Sequence, residues 1–210
     1  RLGYAFVAGG KGAAPQIDLA SNPPLAGELR RRLDEAIAEP DEKDALREAG
    51  QTTTSEYHYR EALKLSEQLR AEEPTRLAGV MVGLARLTQK NQTRVKEAEE
   101  LFKKALTIYE QELGENHTEV ASVLSDLASL EIWNGDLANA EQHQLKALNI
   151  YRQHLPRTHP DHATALAALG QIYTRRGNLI DGERLIMESL ELHREVFGEN
   201  NPRISELLAL

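Results

Sequence analysis

The sequence predicts an all-α fold made of stacked antiparallel helix pairs, on three observations. The stretches "LGENHTEVASVLSDLA" from Leu113, "LPRTHPDHATALAALG" from Leu155 and "FGENNPRISELLAL" from Phe197 repeat one pattern at intervals of 42 residues. Each period holds two helical patterns separated by Gly, Asn and Pro. Strong helix formers (Ala, Leu, Glu, Arg) dominate, while 5% aromatics and 8 prolines disfavour an aromatic-rich β-sandwich or a low-complexity tail. Self-similarity with a period of about 40 residues marks a helical-repeat array. One helix pair cannot bury its apolar stripe alone, so each copy serves as the surface on which the next one packs.

Residues 1–22, rich in Gly and Ala, show no period and read as a flexible or loosely docked lead-in. Within them "YAFVA" reads either as a short strand or as the tail of a removed hydrophobic segment. The chain begins with Arg rather than Met, as expected of a processed or cut fragment, with removal of a signal peptide or anchor left open.

Residues 23–54 are expected to form N-terminal helices, open to being a degenerate repeat. Ser21 or Asn22 can cap the first helix, and proline suits its first position. Leu25, Leu29, Leu33 and Ile37 lie four apart on one apolar face. "PDEKDALREAG" reads as a second short helix ending at Gly50, with "QTTT" as a loop. Arg30, Arg31 and Arg32 form one solvated face, with Glu28, Asp34 and Glu35 as helical partners.

The array proper spans residues 55–210. Its first long helix places Tyr59, Ala62, Leu63, Ser66 and Leu69 on one side. Ala105, Ala147 and Ser189 then follow at the fixed interval, as do Ala98, Ala140 and Gly182. In the second copy, helix A is expected over residues 118–133 and helix B over 137–155. Gly114 and Gly198 stand where a helix needs a left-handed C′ residue, and Gly135 and Gly177 end the A helices. Asn116, Thr158 and Asn200 are expected to accept from the first amides of the next helix, with Pro160 and Pro202 near N1. The chain stops inside another helix A, whose Leu207, Leu208 and Leu210 lack a following helix B.

The pattern L-x-x-L-A/G-x-x-x-x-x-x-G-x-x-x-x-A-E-x-x-x-x-x-A-L-x-I-Y resembles the tetratricopeptide repeat, in the 42-residue form of kinesin light chains. The joining loop of that form corresponds to "GENHTEVA", "PRTHPDHA" and "GENNPRIS" here. The resemblance covers about residues 55–210 and implies a right-handed α-solenoid. Its small residues (Ala85, Ala98, Ala128, Ala140, Gly170, Gly182) let helix backbones approach, with Leu84, Leu127 and Leu169 filling the space beside them. The aromatic usual on helix A survives as Tyr173 and is Glu131 and Thr88 elsewhere. Ser125-Asp126 and Ala167-Ala168 replace the paired asparagines of the kinesin light chain groove, so kinesin-type cargo recognition is not supported.

The resemblance implies binding rather than catalysis, with A helices lining a concave surface for an extended peptide or partner helix. Its register nominates Val82, Arg86, Gln89 and Lys90; Ser122, Ser125, Ser129 and Trp133; and Thr164, Ala167, Gln171, Thr174 and Arg175. Arg86, Lys90 and Arg175 would suit an acidic segment or a C-terminal carboxylate. The Lys/Asn carboxylate clamp of chaperone-binding members is not reproduced, since Val82, Ser125 and Ala167 occupy its positions. Trp133, the single Trp, reads as a partner anchor or, preferably, as packing over the A–B turn.

A net charge of −8 argues against general nucleic-acid affinity. No Cys is present, which removes disulfides, thiolate chemistry and Cys-ligated zinc. No run approaches about 18 apolar residues, so no complete membrane span is expected. His117 and His159 occupy equivalent loops one layer apart, where they do not converge on one metal; each is expected to bond a nearby backbone group. "VAGGKGAA" lacks the Walker pattern. No nucleophile–base set is legible, and neither a cofactor nor a metal is expected. The leading expectation is a protein-interaction scaffold. Self-association through the terminal helix is the alternative, and an enzyme comes a distant third. The compartment stays open between cytoplasm and, if a signal or anchor was removed, periplasm.

Overall fold

The computed structural model describes residues 6–7, 16–17, 23–43 and 52–198, with side chains described for 23–34, 56–196 and 198. The chain divides into two compact units, Arg1–Ile108 and Tyr109–Leu210.

In the first unit, β1 (Phe6–Val7) pairs antiparallel with β2 (Gln16–Ile17), Phe6 opposite Ile17. Within "YAFVA", Phe6 and Val7 are extended, as the strand reading expected. Helices α1 (Pro23–Lys43), α2 (Thr52–Gln68), α3 (Pro74–Thr88) and α4 (Val95–Leu113) follow, with a 3-10 turn at Gln92–Arg94. The sequence suggested a break near Pro40. Instead α1 continues through that residue, forgoing one intrahelical hydrogen bond, and ends three residues later. The expected end at Gly50 and the side chain of Ile37 lie outside the described residues.

Ala26, Leu29 and Leu33 of α1 pack with Ala62 and Leu65 of α2, Leu69 just beyond it, and Val80 of α3. The four-residue spacing read from the sequence is therefore the buried face. The arginine run does not form one solvated face. Arg31 pairs with Glu28 at 2.7 Å, as the helical spacing suggests. Arg30, however, reaches Glu72 and Glu73, and Asp34 pairs with Arg76 of α3. Arg94 bonds both oxygens of Glu56 at 2.8 Å, while Arg60 bonds Glu56 and Glu97. These hydrogen bonds, Arg94 first, hold the Glu56 carboxyl below the usual carboxylate range against the opposing effect of its burial.

In the second unit, after the end of α4, come α5 (Thr118–Asn134), α6 (Leu137–His154), α7 (Pro160–Arg175) and α8 (Leu179–Phe197). Helix α5 packs on α6, α7 on α8, α6 on α7, and α5 also meets α7. The bounds of α5 and α6 agree with the expected helices A and B to within a residue. Gly135 is left-handed (φ 82°) and returns its N–H to the carbonyls of Glu131 and Ile132, closing α5 without the strain a Cβ would bring.

The helix starts differ from expectation. His117 and His159, not Asn116 and Thr158, are the N-caps: their Nδ1 atoms accept from Glu119 N at 3.2 Å and Asp161 N at 3.3 Å. Imidazole Nδ1 stands as many bonds from Cα as asparagine Oδ1 does, so it reaches the same first-turn amide. The loop histidines do bond backbone groups, as expected, and the bond is the cap. Asn200 lies outside the described residues.

The small-residue positions do what their pattern implies. Ala128 and Ala140 are fully buried beside Leu127. A Cβ placed on Gly170 would stand 2.9 Å from the Gly182 carbonyl oxygen, and one on Gly182 would stand 3.0 Å from that of Gly170. Only glycine at both places admits this backbone approach. Two buried polar side chains also tie neighbouring helices to α7. Gln144 of α6 donates to Ala165 O (3.2 Å), and Ser189 of α8 donates to Ala163 O (2.6 Å).

Candidate partner-binding surface

On α3, Arg86 is exposed, but Val82 is buried and contributes packing rather than surface; in the turn just beyond the helix Gln89 is half-buried and Lys90 exposed.

On α5, spacings of three and four residues align Ser122, Ser125, Ser129 and Trp133 along one face. Ser122 and Ser125 are half-buried; Ser129 and Trp133 are exposed. Ser129 Oγ donates to the Ser125 carbonyl (2.9 Å), whereas Ser125 Oγ is shut from solvent without a hydrogen-bond partner. Trp133 is 60% exposed. The expected packing over the A–B turn therefore does not bury it: at the last turn of α5, just before the Gly135 reversal, more than half of the residue stays open to solvent.

On α7, Thr164 is exposed and turns its hydroxyl back to the Pro160 carbonyl (3.2 Å). Ala167 packs against Leu190 of α8. Gln171 is half-buried, and Thr174 bonds the Gly170 carbonyl (2.9 Å). Arg175 reaches α5, where its Nη1 donates to the Ile132 carbonyl at 2.5 Å. That bond meets a carbonyl in the negative, C-terminal turn of α5 and fixes the guanidinium next to Trp133 in sequence. Arg175 is therefore a brace between A helices as well as a surface cation.

The two positions that lost the helix-A aromatic have found other uses. Glu131 holds His143 Nδ1 of α6 at 2.8 Å, and Thr88 is buried with its hydroxyl on the Ala85 carbonyl. Among the described residues, no three His, Asp or Glu side chains gather to hold a metal ion, and no helix is long and apolar enough to cross a membrane. The terminal leucines, Leu207, Leu208 and Leu210, lie outside the described residues. Sequence reasoning missed an exposed apolar set on α8: Leu179, Ile180 (83% exposed) and Met187. It also missed a small cavity among α6, α7 and α8. Register with the preceding repeat was the available signal for both.

Tetratricopeptide repeat models match residues 76–153, 119–179 and 162–203, together more than half of the chain. The chain is a tetratricopeptide-repeat protein. Its fold is that of the α-solenoids, antiparallel helix pairs in series. Among solved structures, BtubC (BKLC) from P. vanneervenii is 22% identical, with a TM-score of 0.68 over 87% of this chain and 78% of that one. A putative kinesin light chain from Podospora anserina with nearly identical TPR-like repeats is 20% identical, with a TM-score of 0.63 over 86% and 82%. PilF of Pseudomonas aeruginosa is 19% identical, with a TM-score of 0.58 over 87% and 70%. At these identities the likeness is one of fold. No curated protein is significantly similar in sequence.

Proposed function

We propose that this tetratricopeptide-repeat protein is a non-catalytic scaffold that holds an extended peptide of a protein partner along the A helices α5 and α7. The observation that carries the reading is Trp133, a solvent-facing indole at the end of a row of hydroxyl side chains on α5. An isolated exposed Trp is a large apolar area left in water, and Trp is the residue most enriched in binding hot spots. The hydroxyls and the Gln171 amide suit the peptide groups of an extended chain; the indole suits an apolar or aromatic side chain of it. An acidic partner of this surface draws on Arg175. It has weaker support, because Arg175 already gives one N–H to α5.

Because Trp133 is the single Trp, its fluorescence reports occupancy directly. A partner peptide recovered by pull-down and mass spectrometry should shift Trp133 emission, and Trp133→Ala should weaken it by about tenfold or more, ~1.4 kcal/mol. A bound peptide that leaves the emission unchanged and survives both Ser129→Arg and Gln171→Arg refutes the reading.

Self-association is a second reading, favoured by the exposed Leu179, Ile180 and Met187 on α8. Light scattering at micromolar concentration decides it: a monomer removes it.

A further inference from the structure

A cavity of about 220 Å³ lies between the end of α6, the α6–α7 loop, α7 and α8, lined by Arg152, Leu155, Arg157, His162, Leu166, Glu188 and Leu192. None of the surface residues nominated from the repeat register lines it. Three observations set it apart.

His162 is 5% exposed, and its Nε2 is buried without a hydrogen-bond partner. A polar atom enclosed in this way carries a desolvation penalty until something meets it. Second, none of Arg152, Arg157 and Glu188 makes an ion pair among the described residues, although all three border one small space.

The third observation comes from the repeat itself. Shifting the lining back by 42 residues gives Glu110, Leu113, Glu115, Val120, Leu124, Lys146 and Ile150. The apolar wall is kept, while the charges are reversed. In that preceding layer Lys146 lies 3.4 Å from Glu110 and 3.7 Å from Glu115, and Val120 is fully buried. The position is thus a closed ion-pair clasp in one layer. In the next it is an open space with two arginines, one glutamate and a histidine in place of valine.

We propose that this α6–α7–α8 cavity binds a small organic carboxylate with a short apolar tail. Two guanidiniums against one carboxylate leave an excess positive charge, and a planar carboxylate matches the fork of an arginine. Leu155, Leu166 and Leu192 provide the surface for the tail. Glu188 in the same lining disfavours a multiply charged phosphate, and the apolar wall disfavours a bare inorganic anion. This inference is independent of the peptide surface on α5 and α7.

The test uses the full 210-residue chain with 4-methylpentanoate as probe and its neutral amide as control, read by ¹H–¹⁵N chemical shifts and thermal shift. Binding is expected with a Kd of the order of 1 mM, at least about tenfold tighter than the amide. The shifts should concentrate at His162 and in the α6–α7 loop. The triple change Arg152→Glu, Arg157→Glu and Glu188→Lys writes the charges of the preceding layer into this one; it should preserve melting and lose at least about tenfold in affinity. Should that variant fold poorly, Arg157→Gln in the exposed loop gives the same comparison. Absence of shifts at the cavity, equal binding of the amide, or full affinity in a folded charge variant overturns the proposal.

Discussion

Gly182→Ala tests how closely α7 and α8 approach. The new Cβ would stand 2.4 Å from Thr174 Oγ1, 2.9 Å from Thr174 N and 3.0 Å from Gly170 O. The hydroxyl can rotate away, but the two backbone atoms cannot. Restoring ordinary contact moves the helices apart by about half an ångström, and a gap of that size forfeits about a quarter of the dispersion well at each lining contact. Overpacking of this kind costs about 1–3 kcal/mol. Alanine's better helix propensity returns about 1 kcal/mol, leaving a net loss of up to about 2 kcal/mol. Gly27→Ala is the control: it lies in α1 with nothing within 4 Å of its added Cβ, so only the propensity gain applies, about 1 kcal/mol stabilising. Urea and thermal unfolding followed by circular dichroism, with equal helicity as a precondition, measure both. If Gly182→Ala is as stabilising as Gly27→Ala, the described backbone approach is wrong.

Other predictions follow from the caps, the ion pairs and the exposed indole. His117→Asn should preserve stability, because Oδ1 replaces Nδ1 at the cap, while His117→Ala should lose about 1 kcal/mol by the same unfolding assay. The Glu56 carboxyl is lowered in the folded state. Its contribution is therefore present above the unfolded value of 4.5 and is lost as pH falls through the lower folded value. Glu56→Gln should accordingly remove about 0.5–1.5 kcal/mol near neutral pH and flatten that acid-side slope in pH-dependent denaturation. Acrylamide should quench Trp133 readily, with more than half of the residue open to collision; strong protection would contradict its described exposure.

The helix pairs were legible because their determinants are local and repeated. Small residues recur at 98, 140 and 182, glycines close the turns at 135 and 177, and the four-residue leucine spacing of α1 survives into the core. What escaped depends on distance in sequence or on fine geometry. The partners of Arg30 lie more than 40 residues away, so the nearby acids on its own helix gave the wrong neighbours for it. Arg175 looks like a free cation in register, yet a carbonyl 43 residues earlier takes it. The caps were misplaced by one residue because histidine ranks below asparagine and threonine as a capping residue, although its Nδ1 is equally well placed. Trp133 reads as packing from a general burial tendency of Trp, which its 60% exposure here does not follow. The surface residues were nominated from register alone, and register fixes direction but not what a side chain does on arrival. The reversed-charge trio was visible in the 42-residue comparison all along, but only the ion-paired preceding layer gives the reversal a meaning.

The Gln144 and Ser189 bonds to the backbone of α7 bear on modular engineering. They arrive from opposite neighbours and land on carbonyls two residues apart, so α7 is keyed from both sides. Cutting this array and reassembling its segments in another order would strand both donors beside unsuited partners, at a penalty of about 1–3 kcal/mol each. Modules spelled almost alike are therefore not interchangeable here: the acceptors are backbone carbonyls that any α7 sequence supplies, so consensus replacement of α6 or α8 that removes Gln144 or Ser189 should lose a tie that replacement of α7 alone keeps.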